Sequence, residues 1–295
     1  MTTFLQFGVT GILIGGTYAL IAMAFVLIYK SSGVFNFAQG ELVAVGGFLP
    51  WSFVVELGLP TWACFLTTFA IATILGMAIE RGFFHRLIGQ PVFSLIMMTI
   101  AISVILRGII CLFWGGPALA YPPGFMPTGT LHLGPLFLSK EHVFCFLFSM
   151  ALVGGFFLLF NFTKLGLGMK AVSESHTLAH SAGIKVGNIF MFSWIVSCIV
   201  SAVGGIFLGI LNGLHIGLTS IGLKAIPIVL LGGLESIPGA LIAGLIIGFV
   251  EAMVGGYVNP LIGGGAEVVV PYIIMIIVLV FRPQGLFGWE RIERV

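Results

Sequence analysis

The sequence predicts an all-α fold, a polytopic transmembrane helical bundle of about eight or nine membrane passages. Broken or re-entrant segments are expected near 33–47 and 225–244. Three observations carry this prediction. Hydrophobic residues make up 59% of the 295 positions and charged residues only 7%, too little charge to cover a water-soluble core. Apolar runs of about 20 residues, the length that crosses the hydrocarbon layer as a helix, recur along the chain. Mean hydropathy is +1.20, and the chain has no Asp. A net charge of +2 gives no footing for nucleic acid or acidic partners.

The apolar passages fall at 7–29, 40–56, 60–80, 92–114, 143–162, 188–212, 225–234, 237–257 and 267–283. The first has no Lys or Arg within residues 1–29, so it lacks the basic flank of a cleaved signal and reads as a retained span. The passage at 225–234 is too short to cross as a straight helix. The positive-inside bias sets the orientation. Lys30, Arg81, Arg86, Lys164, Lys170, Lys185, Arg282, Arg291 and Arg294, nine of the twelve Lys and Arg, fall on one side if the N-terminus is external and the C-terminus cytoplasmic. Lys140 and Lys224 then lie outside, and Arg107 lies within a span. The Pro- and Gly-rich, nearly uncharged stretch at 115–140 reads as an ordered external loop.

Two places interrupt helical rhythm at membrane depth: "GVFNFAQGELVAVGG" at 33–47 and "AIPIVLLGGLESIPGALIAG" at 225–244. Backbone freed from helical bonds there must be buried in protein or line a watery cavity. Paired breaks also point to a transport pathway built on an internal repeat, of which this sequence carries a weak signal. Asn36, Gln39 and Glu41, with Gly232, Gly233 and Glu235, are therefore candidates for a translocation pathway or gate. The alternative for the polar ones is local capping of freed backbone groups. Arg107 and Glu251 are the ionisable residues deepest in apolar spans, and such residues merit a functional hypothesis. They either shape a pathway or form interhelical ion pairs or snorkel to the interface. Gly239, Gly244 and Gly248 recur at roughly helical spacing and suit close helix packing.

Catalytic signatures do not appear. There is no GxxxxGK[ST] phosphate loop, no HExxH and no GxSxG, and without Asp no Asp-based metal or proton-relay site can form. Cys64, Cys111, Cys145 and Cys198 lie singly in apolar runs and read as small hydrophobes. His176 and His180 share helical spacing but no carboxylate or Cys partner, which reads as a polar helix face rather than a metal site. No metal or cofactor is expected on this chain, and it does not read as an enzyme.

One polar stretch remains, "KLGLGMKAVSESHTLAHSAGIKVG" at 164–187, between two apolar runs. Its middle can form a short amphipathic helix at about 170–182 after a turn at Gly166 and Gly168, on the cytoplasmic side. This stretch resembles the cytoplasmic coupling loop of binding-protein-dependent ABC importer permeases. The matching positions are Lys170, Ala171, Glu174, Ala179, Gly183 and Ile184. "GLKAIPIVLLGGLESIPGALIAGLIIGFVEAM" at 222–253 and "GVFNFAQGELVAVGGFL" at 33–49 are similar to the LivH-type branched-chain amino acid permeases. Gln39 departs from some relatives, which carry His there.

The resemblance implies a single permease domain, 1–295, in a bacterial inner membrane. It implies a second homologous permease (LivM-like), two cytoplasmic ATPases (LivG- and LivF-like) that bind ATP and Mg, and a periplasmic binding protein. Leu, Ile or Val is the implied substrate; urea, amides or other small solutes are the alternative within the family. An ion-coupled secondary transporter is the alternative outside it. Glu174 is implied to make a polar contact with an ATPase, and Ala179 and Gly183 to permit close approach.

Overall fold

The computed structural model describes residues 2–87, 89–174 and 176–288. Its helices are α1 (Thr2–Ser32), α2 (Gln39–Val55), α3 (Thr61–Gly82), α4 (Val92–Trp114), α5 (Lys140–Phe162), α6 (Lys164–Glu174) and α7 (His176–Ser181). They continue as α8 (Val186–Asn212), α9 (Leu218–Leu223), α10 (Ala225–Gly232), α11 (Ile237–Tyr257), α12 (Asn259–Ile262) and α13 (Ala266–Phe281). A single 3-10 turn occupies Phe84–Leu87. The strands are β1 (Thr130–Leu133) and β2 (Leu136–Ser139), an antiparallel hairpin that interrupts the otherwise helical fold.

Among the described residues six helices are long and apolar enough to cross a membrane: α1, α3 with the 3-10 turn, α4, α5, α8 and α11. Helix α2 has 17 residues, α13 has 16, and α9 with α10 forms a shorter apolar piece from Leu218 to Gly232. Large apolar side chains are left bare, Leu112 at 84% and Phe113 at 74% among them. A water-soluble protein would cover such a surface; a lipid surround makes it favourable. The chain is an integral membrane protein.

The residues cluster into two compact units. The first comprises Met1–Val26, Thr128–Val153 and Lys224–Val295. Within it α1 crosses α11 at glycines. A Cβ on Gly11 would lie 2.6 Å from the Gly248 carbonyl oxygen, and one on Gly15 would lie 2.7 Å from that of Gly244. Backbones this close maximise dispersion contact, the main packing force between helices in lipid. Gly244 and Gly248 thus serve packing within the chain, while Gly239 faces Gly232. The hairpin belongs to the same unit. The Gln6 side chain donates to the Phe137 carbonyl at 2.5 Å and accepts from its N–H at 3.0 Å.

The second unit comprises Leu27–Pro127 and Gly154–Leu223. Helix α8 is its axis, packed against α2 and α3. A Cβ on Gly47 would sit 2.7 Å from the Gly205 carbonyl oxygen, and one on Gly76 would sit 2.8 Å from Ile195 Cα. Phe84 stacks on the fully buried Trp194 at 4.6 Å, fixing the 3-10 turn onto α8. The loop after α4 is ordered by three anchors. Leu119 and Leu214 exchange backbone hydrogen bonds at 2.8 and 2.7 Å. Trp51 Nε1 donates to Ala120, and the Tyr121 hydroxyl donates to the Gly47 carbonyl.

These crossings predict sharply different outcomes for two glycines. Gly15→Leu would drive a side chain into the α11 backbone and cost at least about 3 kcal/mol, read as a lower melting temperature in detergent. Gly154→Ala, where a Cβ meets nothing within 4 Å, should leave the melting temperature unchanged or slightly raised.

Candidate functional site

The polar stretch at 164–187 folds as two short helices. Helix α6 begins at Lys164, with only Thr163 between it and α5, so Gly166 and Gly168 lie inside a helix rather than in the expected turn. The Thr163 hydroxyl accepts from the Gly166 N–H at 3.3 Å and starts that helix. Both glycines are buried. A Cβ on Gly166 would collide with the Phe160 backbone, and one on Gly168 would press Ile189 Cδ1 at 3.2 Å.

Helix α6 is strongly two-faced. Met169 and Val172 are fully buried, whereas Leu167 (69% exposed), Lys170 and Glu174 share the opposite face. Ala171 is half-buried, and in α7 Leu178 is 71% exposed.

Ala179, Gly183 and Ile184 have a local task. The Ile184 N–H donates to the Ala179 carbonyl and the Gly183 N–H to that of His180, both at 3.0 Å. Gly183 has φ +79°. This is a Schellman cap, in which a left-handed residue lets the chain turn back on the last carbonyls. Ala179 is 2% exposed and faces inward. The exposed positions of the stretch include Lys170, Glu174 and Gly183; Ala179 is not one of them.

At the first break, α1 ends at Ser32 and α2 starts at Gln39. Asn36 and Gln39 are fully buried. Asn36 Oδ1 accepts from the Ala38 N–H and Asn36 Nδ2 donates to Gln39 Oε1, both at 3.1 Å. Gln39 Nε2 donates to Ser201 Oγ at 2.7 Å, which in turn donates to the Ser197 carbonyl at 2.6 Å. This chain of bonds satisfies the freed Ala38 N–H and ties the break to α8. Of the two side chains, only that of Asn36 bonds a backbone group, the Ala38 N–H; Gln39 bonds the side chains of Asn36 and Ser201. Glu41 is 3% exposed in the first turn of α2, and Ser103 and Arg107 of α4 are the groups that face it. Arg107 itself is exposed on α4.

The second break, 233–236, joins α10 to α11. Gly233 takes φ +104°, and the Ser236 hydroxyl accepts from the Gly239 N–H at 3.0 Å, capping α11. Gly232 packs directly on Gly239. Glu235 is half-buried. The last carbonyls of α10 are satisfied by the chain after α13. Leu286 N–H donates to Leu231 at 2.8 Å and Phe287 N–H to Gly232 at 3.1 Å. Arg291 and Arg294, expected on the cytoplasmic side, lie outside the described residues.

Glu251 is in an interhelical ion pair, one of its two expected readings. Its partner is Lys224, and the Tyr18 hydroxyl also donates to Glu251 Oε1, at 3.3 Å. Lys224, expected on the external side, is 7% exposed and buried within the first unit. It is the sole Lys or Arg between Lys185 and Arg282, so charge matching with Glu251 was the available signal. Ser201 and Tyr18 carried no comparable signal, being ordinary polar residues in apolar helices. Among the described residues no group of three or more His, Cys, Asp or Glu is placed to hold a metal ion.

The comparisons with known proteins agree over the whole length. The chain is 28% identical to the high-affinity branched-chain amino acid transport system permease protein BraD of Pseudomonas aeruginosa, over 99% of this chain and 98% of that one. The identity is also 28% to LivH of Escherichia coli K12, with the same coverage. A probable branched-chain amino acid transport permease protein LivH of Methanocaldococcus jannaschii is 30% identical over 94% of this chain and 90% of the relative. Among solved structures, PsaBC from Streptococcus pneumoniae in complex with Fab shares the fold. The TM-score is 0.51 and the identity 12%, covering 95% of this chain and 92% of that one. Residues 8–279 match the family described as branched-chain amino acid transport system / permease component, and the chain belongs to that family.

Proposed function

We propose that this chain is the membrane-spanning permease subunit of an ATP-driven ABC importer, carrying branched-chain or related amino acids across a bacterial inner membrane. The family match over 8–279 carries this reading. A second homologous permease (LivM-like) completes the pathway. Two ATPases (LivG- and LivF-like) bind ATP and Mg on their own chains, and a periplasmic binding protein delivers the substrate. Leu, Ile and Val are preferred over urea or amides because the named relatives are branched-chain amino acid permeases.

The proposed coupling element is α6–α7, within 164–187. Lys170 and Glu174 on the exposed face of α6 meet the ATPase, while Met169 and Val172 are buried on the other face of a helix that packs against α8. Closure of the ATPases on ATP favours one permease state by differential affinity, and α6 transmits the shift. Ala179, Gly183 and Ile184 shape the segment by ending α7. Asn36, Gln39, Glu41, Gly232, Gly233 and Glu235 are proposed to set the two breaks about which the pathway opens.

In the proposed topology α2, α13 and the α9–α10 piece cross along with the six long helices, making nine passages. The N-terminus is periplasmic and the C-terminus cytoplasmic. The whole chain acts as one permease domain.

Two measurements test this. Lys170→Ala and Glu174→Trp, both at exposed positions, should leave membrane accumulation unchanged and lower ATP-driven uptake about tenfold. Uptake equal to wild type would sink the coupling role. In a cysteine-free background, a Cys at Lys140 should react with an impermeant maleimide in intact cells. A Cys at Lys185 should react only after permeabilisation, and the reverse pattern would invert the topology.

A further inference from the structure

Helix α10 is only eight residues long, about 12 Å, with Lys224 alone separating it from α9. On its N-terminal side Pro227 lacks an N–H and crowds the Leu223 carbonyl, which is where the 218–232 piece breaks. On its C-terminal side Gly233 turns the chain away at φ +104°. The C-terminal end is held by the Leu286 and Phe287 N–H groups. What holds the other end is Lys224, the residue immediately before α10.

Lys224 is 7% exposed and pairs with Glu251 on α11. Tyr18 on α1 donates to the same carboxylate oxygen, and the Lys224 ammonium lies 5.8 Å from the Tyr18 ring centroid. Three elements of one unit thus meet at two opposite charges and a phenol. The other nearby carboxylate, Glu267, is engaged by Asn259. The two charges neutralise each other, and neither is presented to open solvent.

We propose that Lys224, Glu251 and Tyr18 form an internal clasp that positions α10 against α11 and α1, its charges matched within the chain rather than offered to a transported molecule. Removing one partner strands a charge away from water, whereas removing both strands none. That difference separates a clasp from a pair of substrate contacts.

The test is a double-mutant cycle on the protein purified in detergent with Lys224→Met, Glu251→Gln and the two combined. Each single variant should melt at least about 5 °C lower than wild type. Each should also show at least about tenfold lower uptake. The combined variant should return to within about 2 °C and about threefold of wild type. Where a single variant fails to accumulate, recovery of its membrane level in the combined variant is the same readout. Additive losses would overturn the clasp, as would a combined variant that fails to accumulate. So would restored melting with uptake as low as in the singles, because the charges would then be read by the transported molecule. The uptake readout rests on the importer reading and the melting cycle does not, so absence of ATP-driven uptake in wild type would sink that reading alone.

Discussion

Backbone groups that leave a helix within hydrocarbon must find partners in the protein, and this demand organises the chain around its two breaks. At 33–38 side chains supply several of the partners. Asn36 closes a turn on Ala38 and passes its bonds through Gln39 to Ser201, so that α8 is bonded to the break it packs against. At 233–236 they are mostly backbone, with Ser236 capping α11 and the segment after α13 closing the end of α10. The first solution keeps buried amides in a closed network; the second uses glycines that let two strands of backbone touch. Each leaves its break specified in one geometry rather than merely tolerated.

Close backbone approach does the remaining work of assembly. Lipid supplies no hydrophobic drive between helices, so α1 on α11 and α2 on α8 depend on glycine-lined crossings. The segment at 164–187 divides its labour differently. Its conspicuous residues sort into Ala179, Gly183 and Ile184, which end α7, and Lys170 and Glu174, which are exposed on α6. The helix pair packs on α8, the axis of its unit.

Much of this is legible in the sequence, because run length and hydropathy report burial in lipid without needing tertiary detail. The breaks are legible for the same reason, since Gly, Pro and Glu together in an apolar run disrupt a spanning helix. What stays hidden depends on pairing. Loop counting treats each cation alone, so it assigns Lys224 a side of the membrane without seeing its pairing with Glu251, 27 residues on. The expected turn at Gly166 and Gly168 is a helix because, although glycine normally disfavours one, the proximity of Phe160 and Ile189 leaves no room for a side chain there. The hairpin escapes a reading of 115–140 as loop although Gly134 and Pro135 divide two short apolar runs, a turn signal outweighed by the helical context.

The central claim is that this chain works as one subunit of a motor-driven assembly. The most direct measurement is to tag it in native membranes, extract it gently and identify what co-purifies, then assay the recovered complex in liposomes. The account predicts a second permease and two ATPases in fixed proportion. It also predicts solute movement that requires both ATP and the loaded binding protein. Recovery of the chain alone, with transport intact in the absence of ATP, would contradict it.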